Sequence, residues 1–170
     1  VRIVRSANVQ TLNGKTEEKL TVTSVGVAFE RPTGLAADGE GNLYVSDTGK
    51  GAVRRVTPEG KVTTAASGLN EPTGLCWKDG ALYIAETGAN QVRKLEKGKL
   101  TVLAGTGEDG LTDGAAMEAA FAGPQGVAVG DDGAVHVADT LNSAIRRVRN
   151  GRVETVTVRD ASLADMGLVS

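Results

Sequence analysis

Apolar and polar residues along this chain fall into short strand-like runs separated by turn signals. Between Pro32 and Ala66 the runs are "TGLAAD", "NLYVSD", "AVRRV" and "KVTTAA". Side chains of a strand alternate between the two faces of a sheet, so runs of this length and pattern suit half-buried strands. The segments between them, "GEG", "TGKG" and "TPEG", are rich in glycine and polar residues, as hairpin loops require. The pattern predicts four hairpin-linked strands forming one small antiparallel sheet.

The same pattern returns twice. A second unit opens at "EPTGLCWKDGALYIAETGANQVRKLEKGKLTVLA" and a third at "GPQGVAVGDDGAVHVADTLNSAIRRVRNGRVETVTV". Their anchor prolines, Pro32, Pro72 and Pro124, are 40 and 52 residues apart. Asp47, Glu86 and Asp139 each precede an arginine, Arg54, Arg93 and Arg146, by seven residues. Thr48, Thr87 and Thr140 directly follow the three acids. Four-stranded sheets repeated at roughly 40 to 45 residues are the blades of a β-propeller. The expected fold is therefore all-β, with complete blades at 32–66, 72–104 and 124–158.

The ends are out of phase with this frame. "VRIV" matches "AVRRV" and "VQTL" matches "VTTA", so residues 1–13 are expected to supply half a blade, its third and fourth strands. "MGLVS" resembles the "TGLAA" that opens a unit, making 159–170 the start of a next blade or a tail. Propellers close with about four to eight blades. Three blades and fractions leave open faces, so the chain is expected to be a section of a longer, six-bladed ring or to complete one by association. Two stretches break the period, "NGKTEEKLTVTSVGVAFERP" and "GTGEDGLTDGAAMEAAFAGP". In the second, Asp113 is placed to cap a short helix through "GAAMEAAF". Both lie between the last strand of one blade and the first of the next, where loop variation is tolerated.

Composition agrees with many tight turns, with 23 glycines against two Phe, two Tyr and one Trp. The net charge of −2 and the single dense basic run, "RRVRNGR", argue against a nucleic-acid partner, whose phosphates call for a basic surface. No run approaches the roughly 18 consecutive apolar residues of a membrane-spanning helix. Cys76, the only cysteine, sits in the apolar context "GLCWK" and reads as a small buried hydrophobe. No signal-peptide pattern is visible, and the chain opens on Val1 rather than Met, which leaves secretion open.

Three equivalent acids argue against catalysis, because a catalytic carboxyl is needed once, in one tuned environment. Asp47, Glu86 and Asp139, paired with Arg54, Arg93 and Arg146, read instead as a blade staple joining the second strand to the third. The only histidine, His136, lies inside the strand "AVHVAD" and reads as a blade side chain rather than a metal ligand. No Ser-His-Asp or Cys-His set, phosphate loop or dinucleotide fingerprint can be assembled. "EDGLTDG" lacks the later glutamate of a calcium loop. No catalytic residue, metal or cofactor is expected.

The residues just described carry a family resemblance. "VADTLNSAIRRV", "YVSDTGKGAVRRV" and "YIAETGANQVRKL" resemble the NHL repeat, as do the Pro-x-Gly anchor and the connector "AGTGEDGLTDGAAMEAAFAGP". Asn142 holds the loop asparagine of that repeat, whereas Lys50 and Ala89 stand at its place in the other units and Asn90 comes one residue late. The resemblance implies a propeller, commonly six-bladed, used mainly as a binding platform. Some members bind RNA, some are extracellular sensor or adhesion domains, and a few relatives are metal-dependent lyases or lactonases. It favours an extracytoplasmic setting slightly. The resulting expectation is a non-catalytic binding or scaffold module for a protein or peptide. Its ligand face would carry Lys50, Asn90 and Asn142 with Glu108, Asp109 and Asp113. The alternatives are part of a lyase- or lactonase-like enzyme, or a purely structural segment of a multidomain protein. Trp77 and Phe121, the loosely placed aromatics that stacking on bases or sugars would need, read as packing.

Overall fold

The structure, a computed structural model, describes residues 2–10, 16–24 and 26–157. The first two strands, β1 (Arg2–Gln10) and β2 (Thr16–Ser24), form a two-stranded antiparallel sheet. Three larger sheets follow. The first blade is β3 (Pro32–Ala37), β4 (Leu43–Asp47), β5 (Ala52–Val56) and β6 (Val62–Ser67), adjacent in chain order. The second is β7 (Pro72–Lys78), β8 (Ala81–Glu86), β9 (Gln91–Glu96) and β10 (Lys99–Ala104). A short strand, β11 (Gly114–Ala115), precedes the third, which is β12 (Pro124–Val129), β13 (Val135–Asp139), β14 (Ala144–Arg149) and β15 (Arg152–Thr155). The chain is all-β, and its architecture is that of propeller blades.

Two expectations are corrected. Among the described residues of 1–13 there is one strand rather than two: Arg2, Ile3 and Val4 of "VRIV" and Val9-Gln10 of "VQTL" all lie on β1, whose partner β2 falls inside the stretch that breaks the period. No glycine, proline or aspartate stands between Val4 and Val9, and the first Asn-Gly pair is Asn13-Gly14. The helix through "GAAMEAAF" does not form either. Gly114 and Ala115 instead pair with Val153 and Arg152, adding a fifth strand to the third blade. So short a segment is a weak helix on its own, and burying Ala116, Ala119, Ala120 and Phe121 in the core decides its path. The segment 159–170 lies outside the described residues.

The core sits between blades rather than inside any one of them. Tyr44 and Val53 of the first blade pack with Leu75, Leu82, Ile84 and Leu95 of the second. Val92 and Ala104 of the second pack with Phe121, Val135, Val137 and Val148. First strands lie side by side, β3 against β7 and β7 against β12. The Pro-x-Gly anchor explains how closely: a Cβ on Gly34 would fall 1.9 Å from the Thr73 carbonyl oxygen, and one on Gly74 2.3 Å from that of Gln125. No side chain fits there, so the glycines set the spacing between blades.

Candidate functional site

The second strand of every blade ends at its acid, and the chain turns through a single 3-10 turn, Thr48–Lys50, Thr87–Ala89 or Thr140–Asn142. Each turn closes on a left-handed residue, Gly51, Asn90 or Ser143, with φ of 57°, 51° and 51°. The three loops therefore share one backbone despite their different side chains. Across the antiparallel pair the arginine sits diagonally from the acid on the same face, within reach of its long side chain. Arg54 Nε donates to Asp47 Oδ2 at 3.1 Å, Arg93 Nη1 to Glu86 Oε2 at 3.0 Å and Arg146 Nη1 to Asp139 Oδ2 at 2.8 Å.

The other carboxylate oxygen binds the chain that enters the blade. It accepts the backbone N–H of Glu30 at 2.6 Å, of Asn70 at 2.7 Å and of Ala122 at 2.7 Å, each two residues before an anchor proline. The carbonyls of those same residues accept N–H groups from the 3-10 turns, at Gly49, Gly88 and Leu141. One carboxylate thus fixes three segments: the incoming linker, the second strand and the third. All three acids are buried. Each of their carboxylate oxygens is hydrogen-bonded within the protein and away from solvent, so these acids serve the blade.

The third blade carries the most elaborate version. Arg146 is 0% exposed and its Nη2 also donates to the Thr112 carbonyl at 2.8 Å and to Asp113 Oδ1 at 2.7 Å. Its Nη1 reaches the Ala120 carbonyl at 2.8 Å, and the guanidinium lies 5.0 Å from the centre of the Phe121 ring. Asp113 in turn accepts the Thr155 N–H and hydroxyl. Burial works to raise the Asp113 carboxyl, but the Thr155 and Arg146 hydrogen bonds outweigh it and hold it below the ordinary carboxylate value.

The expected ligand-face residues divide into two groups. Asn90 accepts the Gly123 N–H at 2.8 Å, and Asn142 donates to the Gly110 carbonyl and to Asp139, both at 2.8 Å. With Asp113, these side chains bind the 105–123 connector to blades two and three. Glu108 and Asp109 lie between the two asparagine anchors, exposed at the loop end. Lys50 is exposed too, but its ammonium donates to the Ala28 carbonyl at 2.8 Å, and it has no contact with the acidic pair. Among the described residues, no group of three or more His, Cys, Asp or Glu is placed to hold a metal ion.

Two features went unread in the sequence. One is a depression of about 430 Å³ along the first strands, lined by Arg31, Thr33, Thr48, Glu71, Thr73 and Thr87. Its threonines are joined in pairs, Thr33 to Thr48 and Thr73 to Thr87, at 2.7 and 2.6 Å. The recurring threonine after each acid was the available signal. The other is a groove of about 400 Å³ at the opposite end, where Tyr44 and Trp77 stack at 4.9 Å beside Arg55 and Lys97.

Residues 2–166 match the Teneurin NHL domain family. The chain is 31% identical over 147 residues to Teneurin-3 of Danio rerio, covering 74% of this chain and 5% of that protein. It is 37% identical over 83 residues to the Arabidopsis thaliana protein SUPPRESSOR OF QUENCHING 1, chloroplastic, covering 47% of this chain and 8% of that one. The chain thus spans only a small fraction of either relative. Among solved structures it is similar to an auxiliary nutrient binding protein from Bacteroides ovatus, with a TM-score of 0.64 at 18% identity over 87% of this chain and 46% of that one. It is also similar to virginiamycin B lyase from Staphylococcus aureus, with a TM-score of 0.60 at 17% identity over 91% of this chain and 49% of that one. For a gluconolactonase from Xanthomonas campestris the TM-score is 0.63 at 15% identity, over 78% of this chain and 48% of that one. At such identities the likeness speaks for the fold alone. The repeated staple, the Pro-x-Gly blade contacts and the match across nearly the whole sequence lead to one conclusion: this chain belongs to the Teneurin NHL domain family.

Proposed function

We propose that the chain is a non-catalytic binding platform, and that its loop end, around Glu108 and Asp109, receives a protein or peptide partner. One observation carries this reading. The acids and arginines that recur in the sequence are consumed in fastening strands, whereas Glu108 and Asp109 of the connector are displayed at the loop end. From Gly105 to Gly126 there are four acids and no basic residue. Leu111, 53% exposed, lies in the same segment. An acidic, partly apolar loop suits a partner with basic and apolar side chains. The similarity to a nutrient binding protein is in keeping with a binding role, while the lyase and the lactonase keep an enzymatic alternative in view.

The test is a peptide display selection on the immobilised chain, with the selected binders measured against a Glu108→Lys/Asp109→Lys variant. Binders rich in Lys, Arg and apolar residues are expected, losing about tenfold or more in affinity to the variant. Binders indifferent to both substitutions would refute the proposed face. Turnover of a streptogramin or a sugar lactone by the purified chain would refute the non-catalytic reading.

A further inference from the structure

The third strand of every blade carries a second cation directly after its staple arginine: Arg55, Lys94 and Arg147. Neighbours on a strand point to opposite faces, so these side chains leave the staple behind them. Two of them are neutralised within their own blade. Arg147 donates to Glu154, its cross-strand partner, at 2.6 Å, and Lys94 donates to Glu96, two residues on, at 3.0 Å. The first blade has a threonine at both places. Thr63 stands across from Arg55 and Thr57 two residues after it, and neither balances the charge. Arg55 reaches Glu40 only at 3.9 Å, beyond hydrogen-bond range, and that carboxylate is 84% exposed. Among the described residues the Arg55 Nε is buried with no hydrogen-bond partner.

The first strands supply a second departure from the repeat. Five residues after the anchor prolines come Ala37, Trp77 and Val129. Val129 is taken up by the core between the second and third blades. Trp77, the only tryptophan, stacks on Tyr44 of the first blade with ring centres 4.9 Å apart and stays partly exposed. The stacked rings and Arg55 form a wall shared by two hollows. One, of about 290 Å³, extends to Asp38 and Glu40, and the other, of about 400 Å³, to Thr63 and Lys97. The groove thus lies within the junction of two adjacent blades, where one cation has lost the partners that its counterparts keep.

We infer that this groove binds an acidic sugar, a pyranose ring carrying a single carboxylate. Arg55 receives the carboxylate through its planar fork, and Lys97 of the same hollow adds positive charge. The C–H face of the ring lies on the Trp77 indole. Its hydroxyls meet the Thr63 hydroxyl and the Glu40 carboxylate, which together offer donors and acceptors. An aromatic wall with a few convergent polar groups is the usual make-up of a small-ligand site. Charge selects the occupant: Asp38 and Glu40 at one end repel a polyanion, while the uncompensated Arg55 is matched by one negative group. The groove is at the end of the blades opposite Glu108 and Asp109, so this inference does not depend on the loop-end reading above.

Trp77 reports on the site directly, because no other tryptophan contributes to the emission. Titration of the 170-residue chain with methyl β-glucuronide, followed by tryptophan fluorescence, should give a saturable change. Arg55→Met should weaken binding about tenfold or more and Lys97→Gln about threefold or more. Arg147→Met, which removes a cation already paired with Glu154, should leave it unaltered. Methyl β-glucoside, the same ring without the charge, should bind about tenfold more weakly or worse. The absence of any response to the glucuronide overturns the inference, as does a glucoside that binds equally well. Equal or tighter binding of AMP or of an acidic dipeptide overturns it in favour of those ligands. Far-ultraviolet circular dichroism checks the fold of each variant. Should Arg55→Met misfold, Lys97→Gln on its exposed turn and the glucoside decide, and full binding by either overturns the inference.

Discussion

Arg146→Met is the sharpest test of the staple. Arg146 is wholly buried and donates to the Ala120 and Thr112 carbonyls, to Asp113 and to Asp139 at 2.7–2.8 Å. Methionine keeps much of the stem but strips the charge, leaving Asp139, itself 0% exposed, with only the Ala122 N–H and the Asn142 amide. Removing one partner of a buried ion pair costs about 3–5 kcal/mol, a large share of the ~5–15 kcal/mol that holds a domain folded. For a chain of this size that corresponds to a fall in Tm of roughly 6–20 °C. Arg54→Met is the control. The Arg54 side chain is 24% exposed, so water replaces part of what is lost, and about 1–3 kcal/mol is expected. Urea unfolding followed by circular dichroism gives both values, and amide exchange shows whether the loss begins in the third blade. Replacing both ions, Asp139→Leu with Arg146→Met, should cost less than the two single changes together. If Arg146→Met unfolds within about 1 kcal/mol of Arg54→Met, burial is not what strengthens the third staple, and the reasoning fails.

Gly74→Ala places a methyl 2.3 Å from the Gln125 carbonyl oxygen and should destabilise by about 1–3 kcal/mol, while Gly126→Ala, which meets only the Ala138 side chain at 3.2 Å, should cost less; thermal melts compare them. Ser143→Gly removes a side chain from a left-handed residue at φ 51°, where the first blade already has Gly51, and should raise Tm by roughly 2–4 °C. Asp113 is held below the ordinary carboxylate value in the folded state, so its stabilisation is present above that value and is lost as pH falls from there through the lower folded value. Asp113→Asn should therefore lower Tm at neutral pH and flatten its acid decline, which melts across a pH series would show.

Much of the fold was legible because the repeat states its own register. Seven residues from acid to arginine is a spacing that a two-stranded turn satisfies only one way, with both groups on one face. The proline and glycine of the anchor likewise announced where each blade begins. What could not be read was the connector. "GAAMEAAF" has helical residues, yet its alanines and Phe121 bury against the second and third blades, a tertiary contact with no trace in local spacing. Asp113 looked like a cap for that helix and proved to be a second acid for Arg146. Asn90 and Asn142 sit on a loop, and their amides hold the connector, a role that polarity at a loop tip does not reveal.

A repeat specifies the inside of its unit and leaves the outside to its neighbours. Thr48, Thr87 and Thr140 are the same letter at the same place, and the first two bond to a proline carbonyl one blade ahead. Thr140 has the same hydroxyl and the same turn beneath it, yet it is exposed. Likewise Val53, Val92 and Ile145 are equally apolar, and only the presence of a following blade makes two of them core. Burying such a side chain contributes about 1.5–3 kcal/mol, so each blade-to-blade contact stabilises both sheets that make it. Among the described residues the second blade receives that contribution from both sides, and the first and third from one. The additional strand β11, the buried Arg146 and the Asp113 bonds all fall on the third blade, reinforcing from within a sheet whose Ile145 flank is exposed. Removing them should therefore loosen the third blade before the second, which is the order that amide exchange would have to show.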